Sequence, residues 1–382
     1  MPRLRWTTAG ESHGAALVGV LEGLPAGMAL DLARVDRELA RRQGGYGRSK
    51  RQRIEQDRIE LLSGTRAGKT LGSPVSFRIE NKDASIERLE VPATPRPGHA
   101  DLAGCQKYGV ADPRLVLERA SARETAARVA LGALARQLLE AFGIELFSHV
   151  TALGGEVARA DAFEAAGEAR AELRDRSDFY CLDPEAEGRL RARVDGAAEE
   201  QDSLGGVFEV RGLGVPPGLG GYAQAGERLS ARLGAALFSI PAIKGVEIGL
   251  GFGAAARPGS AVHDAILPAD PPGPFGRFRR ATNRAGGLEG GMTNGEPLVL
   301  RAAMKPIPTL RRGLPSVDLR TGAAVPAAYQ RSDITAVPAA SVVGEAVVAL
   351  VLAEAFLEKF GGDSLEQVRD AHSAWLRGLA AL

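Results

Sequence analysis

Cysteine is nearly missing from this chain: 382 residues contain only Cys105 and Cys181. That excludes a disulfide framework and any CxxC metal or redox motif. Aromatic residues are scarce too, at 5%. Neither sign of charge dominates, since 48 Lys+Arg against 47 Asp+Glu leave a formal net charge of +1. Bulk charge therefore gives no reason to expect nucleic acid or a membrane surface as a partner. Long apolar runs are also lacking. The longest charge-free stretch of the late apolar segment, residues 346–353, is far too short to span a bilayer. Arg3 and Arg5 followed by apolar residues 15–21 imitate a signal peptide, but Glu11, Ser12 and His13 interrupt it and no A-x-A site follows. What remains is a globular enzyme candidate of the cytoplasm.

Glycine, by contrast, is abundant: 48 residues, nearly double the usual ~7% share. The excess implies many tight turns and places where backbone approaches backbone or ligand. The length suffices for a full core without staples. Residues 4–9 and 15–21 read as strands around the turn Gly10-Glu11-Ser12-His13-Gly14. Asp31 is placed to cap a helix carrying Leu32, Val35 and Leu39, which stops before Gly44-Gly45. An Arg-rich loop over 41–58 follows, then strands over 59–62 and 75–79. The clearest helix runs over 122–142, with Ala127, Leu131, Leu134, Leu138 and Phe142 at helical spacing before Gly143. Residues 157–202 read as a solvated excursion without chemistry. A helix over 225–238, a strand over 246–249, Gly-rich loops over 249–295, a strand over 298–304 and a long helix over 341–360 complete the reading. Without a regular βαβ rhythm, the class is α+β in one domain over 1–382.

Three motif matches mislead. Gly10-Glu11-Ser12-His13-Gly14 fits the G-x-S-x-G elbow of serine hydrolases, but it comes after the first strand and leads into extended chain. The segment from Gly64 to Thr70 is one residue short of a Walker A loop, and Pro74 obstructs the helix such a loop needs. A hairpin turn fits it better. The glycines at 249, 251 and 253 lack the dinucleotide spacing.

Five other places set catalytic residue types in special backbone. Arg96-Pro97-Gly98-His99-Ala100-Asp101 puts an imidazole after a Pro-Gly turn. Glu118-Arg119-Ala120-Ser121-Ala122-Arg123-Glu124 opens the long helix, where free N–H groups attract anions. Lys305-Pro306-Ile307-Pro308-Thr309 is a stiff loop after a strand, Arg331-Ser332-Asp333 sets a cation beside a carboxylate, and the Arg-rich loop offers more anion contacts. Together they point to a small anionic, phosphorylated substrate and acid–base catalysis by histidine. A non-catalytic phosphometabolite-binding protein would use the same arginines. His149, His263 and His372 read as structural.

These motifs, with Gly290-Gly291-Met292-Thr293-Asn294-Gly295 and Arg331-Ser332-Asp333-Ile334-Thr335-Ala336-Val337-Pro338 in order behind them, resemble the signatures of the chorismate synthase family over nearly the whole chain. The match is weakest over 157–202. The resemblance implies the last shikimate step, in which 5-enolpyruvylshikimate 3-phosphate loses phosphate and one C6 hydrogen by 1,4-anti elimination. It implies reduced FMN without net redox change, with NADPH entering only indirectly to reduce the flavin. It implies central helices sandwiched between two antiparallel sheets, assembled as a homotetramer.

Residue roles follow from the same resemblance. His13 corresponds to the acid for the leaving phosphate and His99 to the one that protonates flavin N1. Asp333, with Ser12 and Ser121 as relay partners, corresponds to the base at flavin N5. FMN contacts are implied for Arg119, Ala120, Ser121, Pro241, Ala242, Gly290, Lys305, Pro306, Ile307, Pro308, Thr309 and Arg331. Arg42, Arg48, Arg96 and Arg123 match substrate-binding arginines. Ala120 stands where many relatives have Ser, so only its backbone or methyl group is available there.

Overall fold

The computed structural model describes residues 4–48, 56–327 and 333–381. We label its main strands β1 (Arg5–Ala9), β2 (Ala16–Glu22), β3 (Glu60–Ser63), β4 (Val75–Glu80), β5 (Glu145–Leu153), β6 (Glu156–Val157), β7 (Gly206–Leu213), β8 (Ile243–Ile248) and β9 (Leu298–Met304). The main helices are α1 (Leu32–Gln43), α2 (Asp101–Tyr108), α3 (Arg114–Ala120), α4 (Thr125–Glu140), α5 (Leu229–Phe238) and α6 (Val337–Phe360). One antiparallel sheet has the order β1-β2-β4-β3, the other β8-β9-β7-β5-β6. Helices fill the space between, with α4 against β2 and α6 against β5 and β7. This is the helix-filled sandwich expected.

Alternation makes the first sheet one-sided. Leu17 and Leu21 of β2 point inward beside Ile79 and Val75 of β4, their register partners. Between them Gly19 faces Phe77; a Cβ at Gly19 would lie 2.3 Å from the ring, so the glycine is what admits the phenylalanine. The layers meet where α4 crosses α6. A Cβ at Gly132 would lie 2.5 Å from the Ala346 backbone, so this crossing depends on glycine. Asp31 caps α1 by accepting from the Arg34 N–H at 3.1 Å, as the sequence predicts.

Four expectations need correction. Helix α6 starts at Val337 rather than 341, because Pro338 suits a first helical turn. It has 24 residues, long enough to cross a bilayer, and its most apolar 18-residue window has a mean hydropathy of 2.0, yet 89% of that window is buried inside the fold. The segment 157–202 is not merely solvated. Phe179, Tyr180 and Cys181 join the main core, and helix Glu187–Glu199 buries the stripe Leu190, Val194 and Ala197. That narrow stripe is what the polar composition conceals. Lastly, the Gly-rich stretch holds a hairpin, Ile266–Gly273 with Gly276–Arg280. Its three prolines are compatible with a two-stranded ribbon, where one strand edge is free. The segment from Gly64 to Thr70 is a hairpin as expected, Thr65–Arg66 pairing with Lys69–Thr70.

Candidate active site

A cavity of about 550 Å³ opens at one end of the helical layer. The turn between β1 and β2 delivers Ser12 and His13 to it; the end of α1 and the loop beyond deliver Arg42 and Arg48. The loop before α2 contributes Arg96 and His99. Ala120, Ser121 and Arg123 come from the junction of α3 with α4. Pro241 and Ala242 follow α5, and Lys305, Ile307, Pro308 and Thr309 follow β9. Asp333 enters just ahead of α6. Thus residues spread over more than 300 positions converge. Leu117, Ile240, Met304 and Val343 give the cavity an apolar wall.

Both histidines are held by buried carboxylates. His13 Nδ1 lies 2.8 Å from Glu118 Oε2, and Glu118 Oε1 accepts from Arg114 at 2.7 Å. His99 Nδ1 lies 2.5 Å from Asp101 Oδ1, while Arg96 Nε donates to Asp101 Oδ2 at 2.8 Å. Burial works against the charge on both carboxylates. Hydrogen bonds from His13 and Arg114 outweigh it at Glu118, and those from His99 and Arg96 at Asp101, so both carboxyls sit below their ordinary range.

The anion-binding side is built from guanidinium groups around one carboxylate. Asp57 is fully buried and accepts from Arg123 Nη1 at 2.6 and 2.7 Å and from Arg42 Nη2 at 2.9 Å. Arg48 Nη1 pairs with Asp333 Oδ2 at 2.7 Å. Burial lowers the Arg42 pKa, Asp57 opposes that shift, and neighbouring Arg123 and Arg48 add to it. The Nε groups of Arg42 and Arg48 are buried donors without a partner among the described residues. Lys305 Nζ donates to the Gly98 carbonyl at 2.5 Å, tying the loop after β9 to the His99 loop.

Some expected site residues lie elsewhere. The Arg119 guanidinium reaches the Gly10 and Thr8 carbonyls at 2.9 Å each instead of lining the cavity. Pro306 also stays out of the lining. Gly290 sits in the turn between Leu288–Glu289 and Met292–Thr293. Its neighbour Gly291 accepts from Leu229 at the start of α5, whereas Pro241 follows the other end of that ten-residue helix, ~15 Å away at 1.5 Å per residue. Short separation from Lys305 in sequence is undone by the length of β9. Arg331 and Ser332 lie outside the described residues. Arg41, expected in the Arg-rich loop, lies in the last turn of α1 and turns away to Glu38 and Glu345.

Sequence reasoning misses Asp57 and Asn81. Asn81 Nδ2 donates to the Glu11 and Gly14 carbonyls, holding the turn, and its Oδ1 accepts from Arg123 at 2.9 Å. Neither stands in a pattern; the one signal for Asp57 is that two buried guanidiniums require a counter-charge. Ser12 accepts from the Ser121 hydroxyl at 3.3 Å, and its turn leads straight into antiparallel β2, so the strand–turn–helix of a hydrolase elbow is not formed. His149 pairs with Glu209 in the sheet, and His372 packs among Phe142, Phe360 and Trp375.

A family model described as chorismate synthase matches residues 4–357. A chorismate synthase of Desulforudis audaxviator is 54% identical, covering 99% of this chain and 98% of that protein. One from Rubrobacter xylanophilus is 55% identical over 98% and 97%. A crystal structure of chorismate synthase aligns with a TM-score of 0.82 at 42% identity, covering 99% of both chains.

Proposed function

This chain belongs to the chorismate synthase family, and from that premise we propose how its cavity performs the reaction. The enzyme is a carbon–oxygen lyase of the shikimate pathway that converts 5-enolpyruvylshikimate 3-phosphate to chorismate and phosphate by 1,4-anti elimination, without net redox change. The substrate carries two carboxylates and a phosphate, so several arginines must offset its desolvation. The observation that carries the reading is one cavity holding His13, His99 and four guanidinium groups, those of Arg42, Arg48, Arg96 and Arg123.

The residues present fit a flavin. The cavity volume falls in the ~300–1,000 Å³ range of small-molecule sites, and its apolar wall stands beside Lys305 and the Ser121 hydroxyl. Pro241, Ala242, Lys305, Ile307, Pro308 and Thr309 would hold FMN, with the Ala120 methyl and the Arg119 main chain nearby. The chemistry a bound reduced flavin supplies is transient electron density at the allylic system. Arg42, Arg48, Arg96 and Arg123 orient the substrate anions. His13 holds the proton destined for the leaving phosphate, and His99 holds a second proton beside the apolar wall. Asp333 is the carboxylate that receives a proton, with Ser12 and Ser121 alongside. The family reading also carries a homotetramer in the cytoplasm, acting as one unit over 1–382, with NADPH serving only to reduce the flavin.

The test is anaerobic incubation with 5-enolpyruvylshikimate 3-phosphate and reduced FMN, following chorismate absorbance. Tight substrate binding without turnover would favour a binding protein, and fluorophosphonate labelling of Ser12 would favour a hydrolase. Asp333→Asn keeps shape and most hydrogen bonding while removing the base. It should bind both ligands yet form chorismate far more slowly; full activity would refute Asp333 as the base.

A further inference from the structure

The two histidines share an arrangement that their assigned roles leave unexplained. Each directs Nδ1 at a buried carboxylate, Glu118 at 3% exposure and Asp101 at 2%. Each of those carboxylates also binds an arginine, Arg114 and Arg96 respectively. We propose that Glu118 and Asp101 are positioning residues that keep a proton on Nδ1 of both rings. Nε2 is then the nitrogen through which each histidine exchanges its proton with the cavity. The proposal rests on the functional reading above for what those protons do.

An ionised carboxylate only accepts, so the ring nitrogen facing it must donate. That assigns the tautomer of each ring. Arg114 and Arg96 make the assignment persistent, because a carboxylate paired with a guanidinium resists taking the proton itself. Glu118 also fixes the ring in space. Its Oε2 accepts the His13 main-chain N–H at 3.1 Å, and its own carbonyl accepts the Ser12 N–H at 3.0 Å. So α3 grips the β1–β2 turn through both residues. Asp101 acts likewise: it accepts the Arg96 main-chain N–H at 3.0 Å as well as the guanidinium. One carboxylate therefore orients a substrate arginine and a proton donor together.

The remaining charged neighbours agree with this assignment. Asp83 Oδ2, half exposed, lies 3.8 Å from His13 Nε2, so the ring's other nitrogen also faces a carboxylate. Arg96 Nη2 approaches His99 Nδ1 to 3.1 Å, but with both as donors to Asp101 the two groups share an acceptor instead of bonding each other. In the elimination, the His13 Nε2–H bond breaks and an O–H bond forms on the departing phosphate. The ring becomes neutral with its proton still on Nδ1 and donated to Glu118, and no proton passes to the carboxylate.

The experiment uses the full chain with Glu118→Gln, Glu118→Asp and Asp101→Asn. Imidazole ¹⁵N signals of the wild type should report Nδ1–H on both His13 and His99. In Glu118→Gln the His13 tautomer should become mixed, and kcat should fall by about 10²-fold or more, as when a triad carboxylate is replaced by its amide. KM should change little. Glu118→Asp keeps the anion and should keep the Nδ1–H tautomer. Asp101→Asn gives an independent reading at His99 should Glu118→Gln fail to fold. Unchanged tautomers and an undiminished kcat in folded variants would overturn the proposal. A wild type that makes no chorismate yet shows both Nδ1–H tautomers would sink the functional reading and still support this assignment.

Discussion

Arg41 and Arg42 are neighbours in the last turn of α1, yet they lead into different clusters of charge. Arg41 binds Glu38 at 2.6 Å and Glu345 at 3.2 Å, between α1 and α6. Arg136 of α4 joins the same Glu345 and binds Glu140 at 2.9 Å. Arg42 turns instead to Asp57, Arg123 and the cavity. An unpartnered Nε does not separate the two, because Arg41 has one as well. Charge balance does. Around Arg41, carboxylates from α1, α4 and α6 match the guanidiniums they touch. Around Arg42, the described residues set the guanidiniums of Arg42, Arg48 and Arg123 against Asp57 and Asp333, one carboxylate fewer than cations, beside open space. A matched cluster holds helices together; an unmatched one beside a cavity recruits an anion. Adjacent residues lie about 100° apart around a helix, so a single step in sequence suffices to change from one task to the other.

The largest effect should come from breaking the matched cluster. Glu345→Ala leaves Arg41 and Arg136 buried without their shared acceptor, which typically destabilises by about 3–5 kcal/mol. Denaturant unfolding should show that loss, while activity per folded molecule stays near normal. A variant that keeps its stability but loses substrate affinity would put Glu345 in the site. The pH dependence follows. Burial pushes the Glu345 carboxyl up, but Arg41 and Arg136 outweigh it and hold it down at about 2. With its folded value depressed, its stabilising contribution is complete above the ordinary glutamate range near ~4.3 and fades as pH falls toward the folded value. Wild-type stability should therefore drop more steeply over that acid window than that of Glu345→Ala.

A smaller effect is expected on the other side. Arg42→Ala removes one cation from a surplus, and Asp57 keeps its two contacts to Arg123, so no charge is stranded. Substrate affinity should weaken by about 1.5–3 kcal/mol, the worth of a charge-assisted contact. Unfolding free energy should change much less than in Glu345→Ala, and oxidised FMN should bind nearly as before. A stability loss equal to that of Glu345→Ala would erase the distinction between the clusters.

What the sequence reveals and conceals divides along the same line. Local rules are legible: the Asp31 cap, the buried Val35 and Leu39, and strand β9, which occupies the expected 298–304. So are the loops that carry His13 and His99, because Gly and Pro mark unusual backbone. Partner choice is not legible. The Arg-rich loop reads as one body of anion contacts, yet Arg41 and Arg42 part company, because their fates depend on Glu345 and Asp57, which are far apart in sequence. The resemblance implies a flavin contact for Gly290 and Lys305 alike, yet only Lys305 lines the cavity, with β9 between the two in the chain. The stripe from Leu190 to Ala197 is hidden because three small or aliphatic side chains on a charged helix give too weak a period.

The smallest effect tests whether α1 carries both arginines as one rigid body. Asp31 accepts from the Arg34 N–H, and its main chain is tied separately to Gln137 of α4 at 2.7 and 3.1 Å. Asp31→Ala removes the cap but leaves those backbone ties, so the loss should be about 1 kcal/mol, the usual worth of such a cap. KM should not change. Arg42 lies eleven positions on, ~16 Å along the helix at 1.5 Å per residue. At that distance, with no partner in common, the stability effects of Asp31→Ala and Arg42→Ala should add to within about 0.5 kcal/mol. Additivity would mean that α1 is held by its packing against α4 and α6, so that its far end does not feel the cap. A clear excess in the double variant, with KM worsening beyond the Arg42→Ala value, would mean that the cap tunes the last turn. The separation of the Arg41 and Arg42 clusters would then be a property of the whole helix rather than of the partners each arginine meets.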